Sequence, residues 1–375
     1  MPIHKAPPIG GGRAYRPGAA PSRVMVVDDS GLLRGVVSRW IDAESDLEVV
    51  ACHANGKQAV DDVAHSMPDV IILDIEMPVM DGLEALPLLK RACPNAQVLM
   101  VSTLTKRNAE ISLKALELGA VECMPKPDTQ SEIVGVPDFQ RELLWKVKGL
   151  ARWGARPAAR PAGGARTDGF ARRAYAARPP RAVVIGSSTG GPEALVSLLR
   201  GLAPSLGEVP VLIAQHMPPI FTAALAERLS RVAGVEAVEA RDGQILVGGR
   251  VYVAPGDGHM TIGPGAPPHI AISNGPAVNY CRPSVDLLFD SAAKVFGGRA
   301  LGIVLTGMGV DGAEGATQIA DAGGSVIAQD LGSSVVWGMP GAAVKAGACA
   351  SVLPLDAIAR TAAQLIAGER PEGRA

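Results

Sequence analysis

The sequence predicts an α/β protein made of two doubly wound, mostly parallel sheets, one after the other along the chain. Three observations predict it. Short β-branched runs alternate with helical periodicities from Val24 to Met124, and strand-like runs return from Ala182 onward. The strands read as almost unbroken apolar runs, the pattern of burial on both faces. Between Arg152 and Pro180 the composition shifts to arginine, alanine, proline and glycine, with Asp168 the only acid, which reads as a flexible linker.

Composition narrows the function classes. A length of 375 residues suits two domains, and a formal net charge of −1 points to neither nucleic acid nor an anionic membrane. No apolar run approaches the ~18 residues of a membrane helix, so a soluble, cytoplasmic protein without membrane insertion is expected. The five cysteines are widely spaced with no C-x-x-C, which fits a reducing compartment and no zinc site. Residues 1–22, rich in Pro, Gly and Ala, lack a secretory core and read as a disordered tail. The expected divisions are a tail over 1–22, a first domain over 23–140, a helix and linker over 141–180, and a second domain over 181–370.

In the first domain, Val24–Val27 ends on Asp28-Asp29-Ser30, and a helix follows through Leu33, Val36, Val37 and Trp40. Leu47–Cys52 is a second strand and Gln58–His65 a second helix. The apolar run Val70–Leu73 ends on Asp74. Helix Leu83–Arg91, strand Val98–Val101, helix Asn108–Leu118 and strand Val121–Met124 complete the alternation. Ligands bind at the carboxyl edge of such sheets, where Asp28, Asp29, Asp74, Ser102 and Lys126 all fall. Gathered acids repel one another unless a hard divalent cation, typically Mg²⁺, joins them. Taken singly, Asp29 or Ser30 would cap a helix and Lys126 would be a solvated cation.

Together with Asp74-Ile75-Glu76-Met77-Pro78-Val79-Met80-Asp81-Gly82, this constellation resembles the receiver domain of response regulators over about Arg23 to Asp128. The resemblance implies a flavodoxin-like fold and Asp74 as acceptor of a phosphoryl group from a histidine kinase. It further implies Mg²⁺ held by Asp28, Asp29 and Asp74, with Ser102 and Lys126 reading the phosphate. An aspartate attacks a phosphoryl group poorly until its charge is neutralised, which the cation and Lys126 would do.

The second domain opens with Ala182–Ile185, then Gly186-Ser187-Ser188-Thr189-Gly190-Gly191-Pro192. A buried strand, a sharp turn and a helix with proline in its first turn follow from this pattern. G-x-S-x-G is the spacing of a nucleophile elbow, which projects Ser188 and aims the Thr189 N–H at an oxyanion. Such a turn also cradles phosphate, or serves only as a turn, although it is neither G-x-G-x-x-G nor a P-loop. The decision rests on a base and an acid arriving elsewhere. Strand Val211–Gln215 ends on His216, and strand Ala300–Leu305 leads to Thr306-Gly307-Met308-Gly309-Val310-Asp311-Gly312. Ser325–Ala328 is a further strand. Gln244–Val247 and Arg250–Ala254 around Gly248-Gly249 read as a hairpin. Ser188, His216 and Asp311 thus stand at strand ends as nucleophile, base and orienting acid. A rival set pairs Asp242 or Asp257 with His259 or His269, of which Asp257 and His259 read as a surface loop.

The elbow, Gln215-His216-Met217-Pro218 with Phe221-Thr222, Tyr252-Val253-Ala254-Pro255-Gly256, Arg282-Pro283-Ser284-Val285-Asp286 and the Thr306–Gly312 stretch resemble the chemotaxis receptor methylesterases. The order receiver then esterase is that family's order. The resemblance implies a triad of Ser188, His216 and Asp311, with Met308 shaping the oxyanion and substrate pocket beside Thr189. Ser187 stands where alanine is common, and the elbow spacing selects Ser188. The implied activity is hydrolysis of glutamate γ-methyl esters on chemoreceptors, releasing methanol without a cofactor. Deamidation of receptor glutamines is the related reaction. Control through Asp74 phosphorylation is expected. The alternative is a regulator whose second domain is catalytically silent and acts by binding.

Overall fold

The computed structural model describes residues 20–103, 106–127, 137–154 and 173–371. Most of the expected tail and the centre of the expected linker lie outside them. The chain divides into two compact units, the first running to Pro161 and the second from Ala162, apart from short stretches of the N-terminal tail.

The first unit is a parallel sheet in the order β2-β1-β3-β4-β5, formed by Ser22–Val27 (β1), Leu47–His53 (β2), Val70–Asp74 (β3), Gln97–Ser102 (β4) and Glu122–Pro125 (β5). Helices Gly31–Asp42 (α1), Gly56–Ser66 (α2), Gly82–Ala92 (α3) and Lys106–Glu117 (α4) connect the strands. Start signals are local: Ser30 Oγ accepts from Leu33 N–H, and Asp81 with Glu84 forms a capping box on α3. β1 feeds β2 on one side while β3 pairs on the other, so the order reverses between β1 and β3. Crevices open at such reversals.

Helix Pro137–Gly154 (α5) packs within this unit, and the expected boundary at 140 falls inside it. Phe139 meets Trp40 edge to face at 6.1 Å, and Lys148 pairs with Glu44 and Asp46 at 2.7 Å each. Its partners include Trp40 of α1 and Glu122 of β5, which pairs with Lys146, groups far from the helix in sequence.

In the second unit all seven strands of the main sheet are parallel. They are Ala182–Ser187 (β6), Val211–Gln215 (β7), Ala237–Glu239 (β8), Val251–Val253 (β9), Ala300–Val304 (β12), Ser325–Gln329 (β13) and Ser351–Leu353 (β14). Their order is β14-β13-β12-β6-β7-β9-β8, with an antiparallel pair of His259–Gly263 (β10) and His269–Ser273 (β11) beside it. Helices are Gly191–Leu202 (α6), Pro219–Ala233 (α7), Val285–Phe296 (α8), Ala313–Asp321 (α9), Met339–Lys345 (α10) and Leu355–Ile366 (α11). Successive residues of β6 point to opposite faces: Val183 and Ile185 join one apolar cluster, Val184 the other. Both faces are therefore core, which is why the strand reads as an unbroken apolar run.

Three expectations are corrected here. Gln244–Val247 and Arg250–Ala254 do not form a hairpin: β9 pairs in parallel with β7 and β8, while Ile245 bridges to His269. Tyr252, fully buried, donates its hydroxyl to Ile245 O and accepts from Val247 N–H, which occupies backbone groups a hairpin would use. His259 is not in a surface loop but 1% exposed on β10. Residues 173–180, expected within the free linker, are ordered on the second unit. Arg173 pairs with Asp321 at 2.8 Å and Tyr175 donates its hydroxyl to Ser351 Oγ at 2.7 Å.

Candidate active site

β6 sits between β7 and β12, so the chain reverses direction across the sheet next to the strand that carries the elbow. Ser188 follows β6, His216 follows β7, and Asp311 follows β12 in the loop before α9. Strand order therefore sets all three at the carboxyl ends of neighbouring strands, where such sheets open a crevice.

The elbow is fixed by buried polar groups. Ser188 is 4% exposed; its N–H donates to Thr306 O at 3.0 Å and its carbonyl accepts from Gln215 Nε2 at 3.0 Å. Ser187 is fully buried and donates its hydroxyl to Gln215 Oε1 at 2.6 Å. The adjacent hydroxyl is thus committed to the core, and Ser188 is the first residue beyond the end of β6. Gly190 holds φ +74°, a turn that a side chain would strain, and starts α6. Thr189 is buried, and its carbonyl accepts from Thr306 Oγ1 at 2.9 Å. Thr306 N–H in turn donates to buried Gln329 Oε1 at 2.7 Å, tying the start of the Thr306–Asp311 loop to β13. Met308, 1% exposed, belongs to that loop.

His216 Nε2 lies 2.9 Å from Asp311 Oδ2. That carboxylate also accepts from Val285 N–H at 2.7 Å, and its other oxygen from Ser284 Oγ at 2.9 Å and Asp286 N–H at 3.1 Å. Ser284 is the N-cap of α8, so Asp311 sits on a helix N-terminus whose amides and dipole favour a negative charge. Burial alone would raise Asp311, but His216 and these backbone N–H groups hold it below the usual carboxylate range. Asp286 behaves oppositely: burial and the neighbouring Asp311 charge push it up, against the Gly315 N–H it accepts at 2.7 Å. His216 Nδ1 faces Cys281 Sγ at 3.6 Å. Burial disfavours the imidazolium, yet Cys281 and Asp311, one at each ring nitrogen, raise His216 to about 10.

The rival residues are elsewhere engaged. His259 Nε2 contacts Pro276 O at 3.0 Å and Nδ1 accepts from Ser284 N–H at 3.1 Å, so it holds the α8 cap. Asp242 accepts from Ile272 N–H at 2.9 Å, and Asp257 is exposed. Sequence reasoning missed Ser284 and Gln215 as supports of the acid and the elbow. A serine three residues before Leu287 at the head of an apolar helix was the available signal for the first.

In the first unit, Lys126 Nζ lies 2.6 Å from Asp28 Oδ2 and 2.7 Å from Asp74 Oδ2. Asp28, Asp29 and Asp74 offer carboxylate oxygens within 4.8 Å of one another. Asp74 is pushed up to about 6 by burial and by Asp28, against Lys126. Hard oxygen donors in such number fit Mg²⁺, and the raised acid is a site short of positive charge. Ser102 is buried, its hydroxyl 3.3 Å from Ser112 Oγ, and its carbonyl accepts from Lys126 N–H at 2.7 Å.

Comparison with known proteins follows the same division. Residues 24–136 match the response regulator receiver domain and residues 183–362 the CheB methylesterase family. A protein-glutamate methylesterase/protein-glutamine glutaminase of Nitrobacter hamburgensis is 50% identical, covering 93% of this chain and 95% of its own. One of the same description from Nitrobacter winogradskyi is 47% identical, with the same two shares. The solved catalytic domain of Thermotoga maritima CheB methylesterase is 38% identical over 50% of this chain and 98% of its own, with a TM-score of 0.48. Among the described residues no helix is long and apolar enough to cross a membrane. With both family models matched in order and relatives near half identity along almost its whole length, the chain belongs to the CheB methylesterases that carry a receiver domain.

Proposed function

We propose that this chain is a cytoplasmic, phosphorylation-regulated esterase that hydrolyses glutamate γ-methyl esters of chemoreceptors, with Ser188, His216 and Asp311 as its triad. The observation that supports the assignment best is the His216 Nε2–Asp311 pair at 2.9 Å, joining the ends of the two strands that flank β6. Asp311 holds Nε2, so Nδ1, which here faces Cys281 Sγ at 3.6 Å, is the nitrogen that takes the Ser188 proton, and it does so from the neutral form of the ring. Ser188 Oγ attacks the ester carbonyl, and the tetrahedral oxyanion is held by backbone N–H groups of the elbow, Thr189 foremost, with Met308 bounding the pocket. His216 returns the proton to the departing methoxide, giving methanol and a glutamyl ester on Ser188. Water then attacks with His216 as base and releases the carboxylate. A receptor glutamine reacts alike, with ammonia as leaving group.

In the receiver, Asp28, Asp29 and Asp74 would hold Mg²⁺, which neutralises charge during transfer from a chemotaxis histidine kinase. Asp74 is the acceptor, and Lys126 with Ser102 responds to the phosphoryl group. The reading of a silent second domain has less support, since the buried partners of Asp311 and His216 are all in place. The test is methanol release from a methylated receptor by the full chain, with and without a phosphodonor. Activity that persists in Ser188→Ala would overturn the assignment.

A further inference from the structure

β6 and β7 run in parallel register as far as Ser187 and Gln215, the last pair at the carboxyl edge. The next residue on one strand is Ser188 and on the other His216, and each then leads toward a different helix, α6 or α7. The backbone ladder closes with His216 N–H donating to Ser187 O at 3.1 Å. Beyond that bond the side chain of Gln215 carries the pairing on. Its Nε2 donates to Ser188 O at 3.0 Å and to His216 O at 3.2 Å. Both amide hydrogens are thus spent on the carbonyls of the nucleophile and the base.

The chemistry of the neighbours fixes which way the amide points. Backbone carbonyls only accept, so Nε2 must face them and Oε1 must face away, where Ser187 Oγ donates to it at 2.6 Å. Gln215 is 1% exposed, so water does not compete for these bonds. Gly191 leaves room for the amide, since a Cβ there would lie 2.0 Å from Oε1. The Gly191 N–H also donates to Ser188 O at 2.7 Å, so that carbonyl is held from α6 as well.

We propose that Gln215 is a positioning residue of this esterase, whose amide sets the spacing of nucleophile and base by binding the carbonyls of Ser188 and His216 together. The proposal rests on the triad assigned above. Proton transfer from a hydroxyl to an imidazole needs the two within about 3 Å, and a misplacement of ~1 Å costs on the order of 10²-fold in rate. The amide acts on that spacing through the backbone of both residues. It touches neither nitrogen of the ring, whose partners are Asp311 at Nε2 and Cys281 at Nδ1, with Asp286 behind Asp311.

The test measures methanol release from a methylated receptor by the full chain carrying Gln215→Met or Gln215→Glu. Methionine keeps the length but offers no donor, and glutamate keeps an acceptor for Ser187 while setting an oxygen against the two carbonyls. Each should lower kcat by about 30- to 100-fold with KM within ~3-fold, because receptor binding does not depend on the spacing. The acidic limb of kcat/KM against pH should stay where it is in the parent, since the ring keeps its partners. In a His216→Ala chain there is no base left to align, so adding Gln215→Met should change the residual turnover by less than ~3-fold. Where neither variant folds, Gly191→Ala crowds the amide directly and should lower kcat with KM kept. A kcat within ~3-fold of the parent, a change confined to KM, a displaced acidic limb, or an equal loss with and without His216 would each overturn the proposal. A Ser188→Ala variant that still releases methanol would instead sink the triad reading.

Discussion

Replacing Asp311 by asparagine separates two ways in which an acid supports a histidine. Asp311 is 1% exposed and receives four hydrogen bonds, two on each oxygen. Val285 N–H and Asp286 N–H cannot reverse, whereas the Ser284 hydroxyl can rotate to accept. An asparagine has one carbonyl oxygen, so one backbone N–H must face its NH₂ group. The Val285 contact at 2.7 Å is shorter than the Asp286 contact at 3.1 Å, which places the carbonyl on the Val285 and His216 side. His216 then keeps its tautomer but exchanges a carboxylate for a neutral acceptor. A hydrogen bond to a charged group is worth ~1.5–3 kcal/mol, so its weakening should cost about 10- to 100-fold in kcat/KM. The opposite amide orientation would force the proton onto Nδ1 and cost ~10⁴-fold. The stranded Asp286 N–H costs about 1–3 kcal/mol of stability, or roughly 2–12 °C in the melting temperature of a unit this size. Methanol release and thermal unfolding monitored by circular dichroism read both. Activity within ~3-fold of the parent, with an unshifted melting temperature, would refute the reasoning.

Other outcomes follow from single contacts. Ser188→Ala should lower turnover by ~10⁴-fold or more, while Ser187→Ala, which removes only a buried bond to Gln215, should stay within about 10-fold; steady-state methanol release compares them. Gly307→Ala places a Cβ 2.9 Å from Ser188 Cβ and 2.4 Å from Met339 Sδ, so it should cut kcat while leaving receiver phosphorylation intact. Incubation with Mg²⁺ and a small phosphodonor should label the chain with a base-labile acyl phosphate, and label surviving in Asp74→Asn would exclude that site. Because burial pushes Asp74 up to about 6, Mg²⁺ must displace a proton at lower pH. Mg²⁺ affinity measured by calorimetry should therefore weaken as pH falls through that value, and a flat profile would contradict it.

Much of the molecule was legible in the sequence because its signals are local. Unbroken apolar runs follow from burial on both sheet faces, and Val183 and Val184 do enter opposite clusters. The elbow glycines, the Ser30 cap and the acids at strand ends are each set by the geometry of a few neighbouring residues. Those signals gave two parallel sheets and placed Ser188, His216, Asp311, Asp28 and Asp74 at carboxyl edges. What they could not give is lateral order. The reversals at β1/β3 and at β12/β6 decide which strand ends adjoin, and pairing between strands is a property of the folded sheet. The same limit hid the parallel role of β9, where a glycine pair and alternating residues imitate a hairpin while β7 and β8 supply the real partners. It hid the cysteine too. Cys281 lies 65 residues from His216 in sequence, and only the turn ahead of α8, set against the end of β7, brings sulfur and imidazole together.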